Sequence, residues 1–182
     1  MQSSRTGWVA VLVATAGLGL APKPGAAAEA KLSCPATAPA GGRVVAEITI
    51  NVGATTALGA YSMMLAYDPA VLRITSVAGG MTPEFAGTPT TRTSSPGTTN
   101  VAAFQSASLD SPKGVVSVAK ITLDVVATAS KSTSIGLTVS DLYDTNVRAI
   151  LPATGAGCTV AVTGPTSTTN ATRRRPRRGS SP

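Results

Sequence analysis

The chain has no histidine, two cysteines (Cys34 and Cys158) and eight acidic residues. Those residues bound its chemistry. Without imidazole there is no Ser–His or Cys–His nucleophile pair, no His metal ligand and no ordinary neutral-pH general base. Two Cys without His give no zinc spacing. A facing pair of carboxylates, as in glycosidases, is the remaining route to catalysis. The acids are scattered, however. Glu29 lies ahead of the domain, Glu47 and Asp124 fall at outward strand positions, and Asp68, Glu84, Asp110, Asp141 and Asp144 fall in turn or loop sequence. Turn aspartates serve backbone geometry. Asp141-Leu-Tyr-Asp144-Thr-Asn146 gathers oxygen ligands but lacks the Gly and the terminal Glu of an EF-hand loop, so it reads as a strand-to-strand turn. The expectation is no enzyme, no cofactor and no metal. Sugar stacking needs exposed rings. Only Phe85, Phe104 and Tyr143 are candidates, because Trp8 lies in a leader and Tyr61 and Tyr67 fall on a core face.

The elements that position these residues are strands. In Leu58 to Val77, Tyr61, Met63, Leu65 and Tyr67 alternate with Ala60, Ser62, Met64 and Ala66. That period of two marks a half-buried strand with the first set inward. Asp68-Pro69 stops it, the Asp capping a short helical turn and the Pro fitting its first position. Arg73 to Val77 runs on as the next strand. Further alternation covers Arg43 to Val52, Asn100 to Ser106, Val115 to Ala127 and Ser134 to Val139. Val147 to Leu151 and Cys158 to Val162 complete the set, and Gly79 to Gly97 reads as loop with short edge strands. Apart from the leader, nothing repeats every 3.6 residues. The pattern predicts an all-β, two-sheet sandwich with an aliphatic core.

LGAYSMMLAYDPAVLRITSV resembles the third and fourth strands of cohesin domains, the receptor modules of cellulosome scaffolds, through Gly59, Leu65, Tyr67, Asp68, Pro69, Val71 and Leu72. A second match is Gly114-Val-Val and the alternating strand after it. The resemblance spans about Lys31 to Val162. It implies a jelly-roll β-sandwich of about nine strands, no catalysis, and a flat sheet face that binds dockerin modules. The residues at that face are Ala60, Ser62, Met64 and Ala66, where dockerin-binding cohesins carry polar or acidic contacts. The expected partner is therefore an exported, dockerin-like protein. The alternative, from the related superfamily, is a carbohydrate-binding module associated with polysaccharide breakdown.

The ends carry the charge. The net charge is +7, yet eight basic and eight acidic residues lie between Glu29 and Arg148. The neutral body argues against nucleic acid as a partner. Residues 1–28 read as a signal peptide: Arg5, an apolar run from Trp8 to Leu20, and Ala26-Ala27-Ala28 as the cleavage site. The run is short of the ~20 residues of a membrane span. Cys34 suggests a lipoprotein signal, but Lys31 stands where an aliphatic residue is wanted. A secreted or cell-surface chain is expected to join Cys34 and Cys158 in a disulfide, two free thiols being the alternative. Residues 163–182 read as a Thr-rich linker and a disordered basic tail with Arg173, Arg174, Arg175, Arg177 and Arg178. That tail is either solvated or held to anionic surface polymer. The domain between reads as a monomer.

Overall fold

The alternation in β1 (Ala28–Ser33), β3 (Arg43–Asn51), β4 (Leu58–Tyr67) and β7 (Thr98–Phe104) puts every second residue inside. The computed structural model describes residues 27–164. The other strands are β2 (Thr37–Pro39), β5 (Leu72–Gly79), β6 (Thr90–Ser95), β8 (Val115–Val125), β9 (Lys131–Asp144), β10 (Ala153–Ala156) and β11 (Cys158–Thr163), with a 3-10 turn at Pro83–Phe85. They form two sheets, in the orders β10-β1-β3-β8-β5 and β2-β11-β9-β4-β7-β6. Sheets stacked face to face sit about 10 Å apart, and the inner faces here meet in one aliphatic core. Val44, Ala46, Ile48 and Ile50 of β3 enter it from one side, and Met63 and Leu65 of β4 from the other. The architecture is the expected all-β sandwich.

Tyr61 is the core's anchor. It is 2% exposed, its ring lies 5.6 Å from that of Phe85, and its hydroxyl donates to the Val118 carbonyl across the sandwich at 3.2 Å. Burial pushes that hydroxyl well above the ordinary phenol range. Phe85 is therefore core and not a ring for stacking sugar. Along β8 the alternation slips: Val118 and Ala119 are both buried, because the register with β3 jumps between Ile48 and Thr49. A bulge of this kind adds one residue to a strand and turns the rest over.

Three details depart from the sequence reading. β1 begins at Ala28 and takes Glu29 into its sheet, so Glu29 is not outside the domain. Val147 to Leu151 makes no strand, only a bridge from Ala149 to Tyr143. Asp144 Oδ1 accepts the N–H groups of Asn146 and Arg148, each at 2.8 Å, and bends the chain instead. The short β2 and β10 bring the total among the described residues to eleven strands. The expected leader (1–28, up to residue 26) and the linker and tail (163–182, from residue 165) lie outside the described residues.

Cys34 follows β1 and Cys158 opens β11. Their disulfide joins the two sheets, Cα to Cα 6.1 Å, across 124 residues.

Asp68 ends β4 as its neighbours require. Its Oδ1 accepts the Ala70 N–H at 2.9 Å, its carbonyl accepts those of Val71 and Leu72, and Lys131 Nζ donates to Oδ2 at 2.7 Å. The Lys131 bond, then the Ala70 amide, hold its carboxyl below the usual range. A carboxyl lowered on folding stabilises above its unfolded pKa, about 4, and that stabilisation is lost as pH falls through the folded value. Thermal melts of the chain and of Asp68→Asn should thus separate above about pH 4 and converge in stronger acid. Curves that stay parallel throughout would remove this role.

Candidate sheet-face binding site

The outer face of the six-stranded sheet is laid out by strand register. Directly opposed residues share a face, so four rows cross β7, β4 and β9. They are Phe104–Ala60–Tyr143, Ala102–Ser62–Asp141, Asn100–Met64–Thr138 and Thr98–Ala66–Gly136. Ala60, Ser62, Met64 and Ala66 all point outward, alternating with the buried Tyr61, Met63 and Leu65. Beyond β7, the edge strand β6 adds Thr90 and Arg92, opposite Ala102 and Asn100. In the central strand the floor is thus small side chains apart from Met64. Arg92 and Asp141 are the charged residues these rows contain.

At one end the floor deepens. Phe104 and Tyr143 flank Ala60, two strand spacings or roughly 9.6 Å apart by sheet geometry. Phe104 is 78% exposed and Tyr143 half-buried. With Gly59, Gln105, Asp144, Thr145 and Val147 they line an open cleft of about 200 Å³. Gly59 is required there, because a Cβ would collide with the Asp144 carbonyl. Val147, 80% exposed, sits at φ 60, where β-branched residues rarely go.

The polar groups of the cleft are mostly occupied by the scaffold. Gln105 Nε2 donates to the carbonyls of Leu58, Ser108 and Ser111, and its Oε1 accepts the N–H groups of Ala107 and Ser108. Thr145 Oγ1 donates to the Leu109 carbonyl at 2.6 Å. Asp144 Oδ1 is spent on the turn that follows it, and Asp141 to Asp144 run in β9 beside β4 instead of in the expected turn, so the Asp141–Asn146 stretch forms no ring of ligands. Among the described residues no cluster of three or more His, Cys, Asp or Glu forms a metal-binding group. Three further acids are separately engaged: Glu47 accepts from Ser117, Glu84 accepts from Ser111, and Asp124 meets Arg43.

The structure places Ala60, Ser62, Met64 and Ala66 on one outward face of β4. What the sequence missed is its flank. Phe104 and Tyr143 were separate candidates, and only the pairing of both strands to β4 brings them to either side of Ala60.

Fold and face together define a jelly-roll type sandwich module with a flat, nearly uncharged sheet surface. The family model for the cohesin domain matches residues 32–160, and the chain belongs to that family. Solved structures agree in fold. The seventh ScaB type I cohesin from Pseudobacteroides cellulosolvens is 21% identical, with TM-score 0.61, over 75% of this chain and 92% of its own. The cohesin OlpC in complex with dockerin Doc435, from Clostridium thermocellum, is 16% identical, with TM-score 0.61, over 75% of this chain and 94% of that one. A cohesin module of a family 33 glycoside hydrolase from Clostridium perfringens is 8% identical, with TM-score 0.61, over 75% and 97%. No curated protein sequence matches the chain. Among the described residues, no helix is long and apolar enough to cross a membrane.

Proposed function

We propose that this chain is an exported, non-catalytic attachment module that holds a dockerin-like protein against the outer face of β9-β4-β7-β6, with Ala60, Ser62, Met64 and Ala66 as the contact floor. The carrying observation is the floor itself: three small residues and Met64 in the central strand, walled at one end by Phe104 and Tyr143. Small side chains let a partner's backbone approach closely, and the rings give an apolar anchor to bury. Solved relatives in complex with dockerins support the choice of partner. The inter-sheet disulfide supports an oxidising, extracellular setting.

The two exposed rings also favour a second reading, a glycan stacked at the cleft. It ranks below the first because sugar hydroxyls need hydrogen-bond partners, and Gln105 and Thr145 are already committed internally. The test is a binding panel: the purified chain against immobilised dockerin modules, and against cellulose, chitin and xylan. Capture by a dockerin with no glycan retention is expected. Because the face holds few charges, that binding should change less than about threefold between low and 0.5 M salt. Retention on a glycan with no dockerin bound would reverse the order.

A further inference from the structure

The two charges of the outer face stand on opposite sides of an uncharged floor. Arg92 is on the edge strand β6, opposite Asn100 of β7, and Asp141 is on β9, opposite Ser62 of β4. The pairings Asn100–Met64 and Ala102–Ser62 put them in adjacent rows, three strand spacings apart. By sheet geometry that is roughly 14 Å across the strands and about 7 Å along them. Both side chains are exposed. The ion pairs among the described residues, Arg43–Asp124, Arg73–Asp124 and Lys131–Asp68, involve neither. The loop charges beyond β9 are out of phase with this face. Asp144 follows the outward Tyr143 and spends Oδ1 on its own turn, and Arg148 precedes Ala149, the residue opposite Tyr143.

At a distance one cation and one anion cancel, so such a face steers a partner weakly and its binding responds little to salt. At contact they do not cancel. A closely docked partner meets Arg92 and Asp141 separately, and charges partly enclosed by an interface are screened less than exposed ones. Complementary charges placed this way fix register and reject wrong arrangements more than they add affinity. The apolar anchors sit on the side of the anion: Tyr143 is two residues on from Asp141 along β9, and Phe104 two on from Ala102, which shares the row of Asp141. The face therefore has a direction. A guanidinium stands at the β6 edge, small residues and Met64 lie between, and a carboxylate stands beside the two rings.

We propose that Arg92 and Asp141 fix the sense in which the partner lies on the floor: its contact surface carries a carboxylate over β6 and an ammonium or guanidinium over β9, next to the apolar group that meets Phe104 and Tyr143. The assignment rests on the sheet-face reading and adds the partner's charge order to it. It is tested by titration calorimetry on the full chain, with the dockerin module that the unaltered chain captures most tightly. Arg92→Glu and Asp141→Arg each bind about tenfold more weakly, because each turns an attraction into a repulsion. The double reversal Arg92→Glu/Asp141→Arg keeps the net charge and inverts the direction of the face, and it binds about a hundredfold more weakly. Lys31→Glu, on the outer face of the other sheet, binds as the unaltered chain does. All four variants keep the parent's melting temperature. If a dockerin binds and the single reversals leave its affinity within about twofold, this inference fails while the sheet-face reading stands. A double reversal that restores the parent's affinity shows that the partner lies either way round, and the inference fails again. A chain that captures no dockerin overturns the reading and this inference with it.

Discussion

Replacing Cys34 and Cys158 together by Ala is expected to remove about 4–5 kcal/mol of stability, the chain-entropy value for a loop of this length. The staple links β1 to β11 and so one sheet to the other. Cutting it frees the unfolded chain from a closure spanning nearly the whole domain. For a domain of this size the melting temperature should fall by roughly 10–20 °C. Reducing agent should produce the same fall in the unaltered chain and none in the variant. A variant that melts within about 3 °C of the parent would show that the sheets are held by core packing alone.

The second large effect belongs to Tyr61. Truncation to Ala removes a ring packed on Phe85 at the centre of the sandwich and strands the Val118 carbonyl. Loss of a buried aromatic costs about 3–5 kcal/mol. Tyr61→Phe separates the two parts: the ring stays, the hydroxyl goes, and the carbonyl loses its donor at a cost of about 1–2 kcal/mol. Chemical denaturation of the three proteins should give that order. Equal stability of Tyr61→Phe and the parent would mean that the cross-sandwich hydrogen bond contributes nothing.

The sequence was most readable where one strand faces one core. β3 and β4 alternate without a break, so Val44 to Ile50 and Tyr61 to Leu65 could be assigned inward and Ala60 to Ala66 outward. It was least readable where tertiary pairing decides. β2 and β10 are three and four residues long, too short to show a period. Val147 to Leu151 is β-branched enough to resemble a strand, but the side chain of Asp144 takes its backbone into a turn. At the site, the floor was legible and the walls were not. Phe104 and Tyr143 lie far apart in sequence and meet Ala60 through two different strand pairings, and the register of Tyr143 depends on an irregularity between Ser62 and Met63 that no local pattern announces.

The most direct measurement of the account is the affinity of a Ser62→Arg variant for whichever dockerin binds the unaltered chain most tightly. Ser62 is half-buried at the middle of the floor, flanked by Ala102 and Asp141. An Arg there stands off any closely packed partner while its stem and head remain in water. A loss of about 100-fold or more, roughly 2.7 kcal/mol, is expected, with the melting temperature unchanged. Thr49→Arg, on the outer face of the other sheet, should bind normally. Ser62→Arg binding within about threefold of the parent, or a loss shared equally by Thr49→Arg, would contradict the placement of the partner on this face.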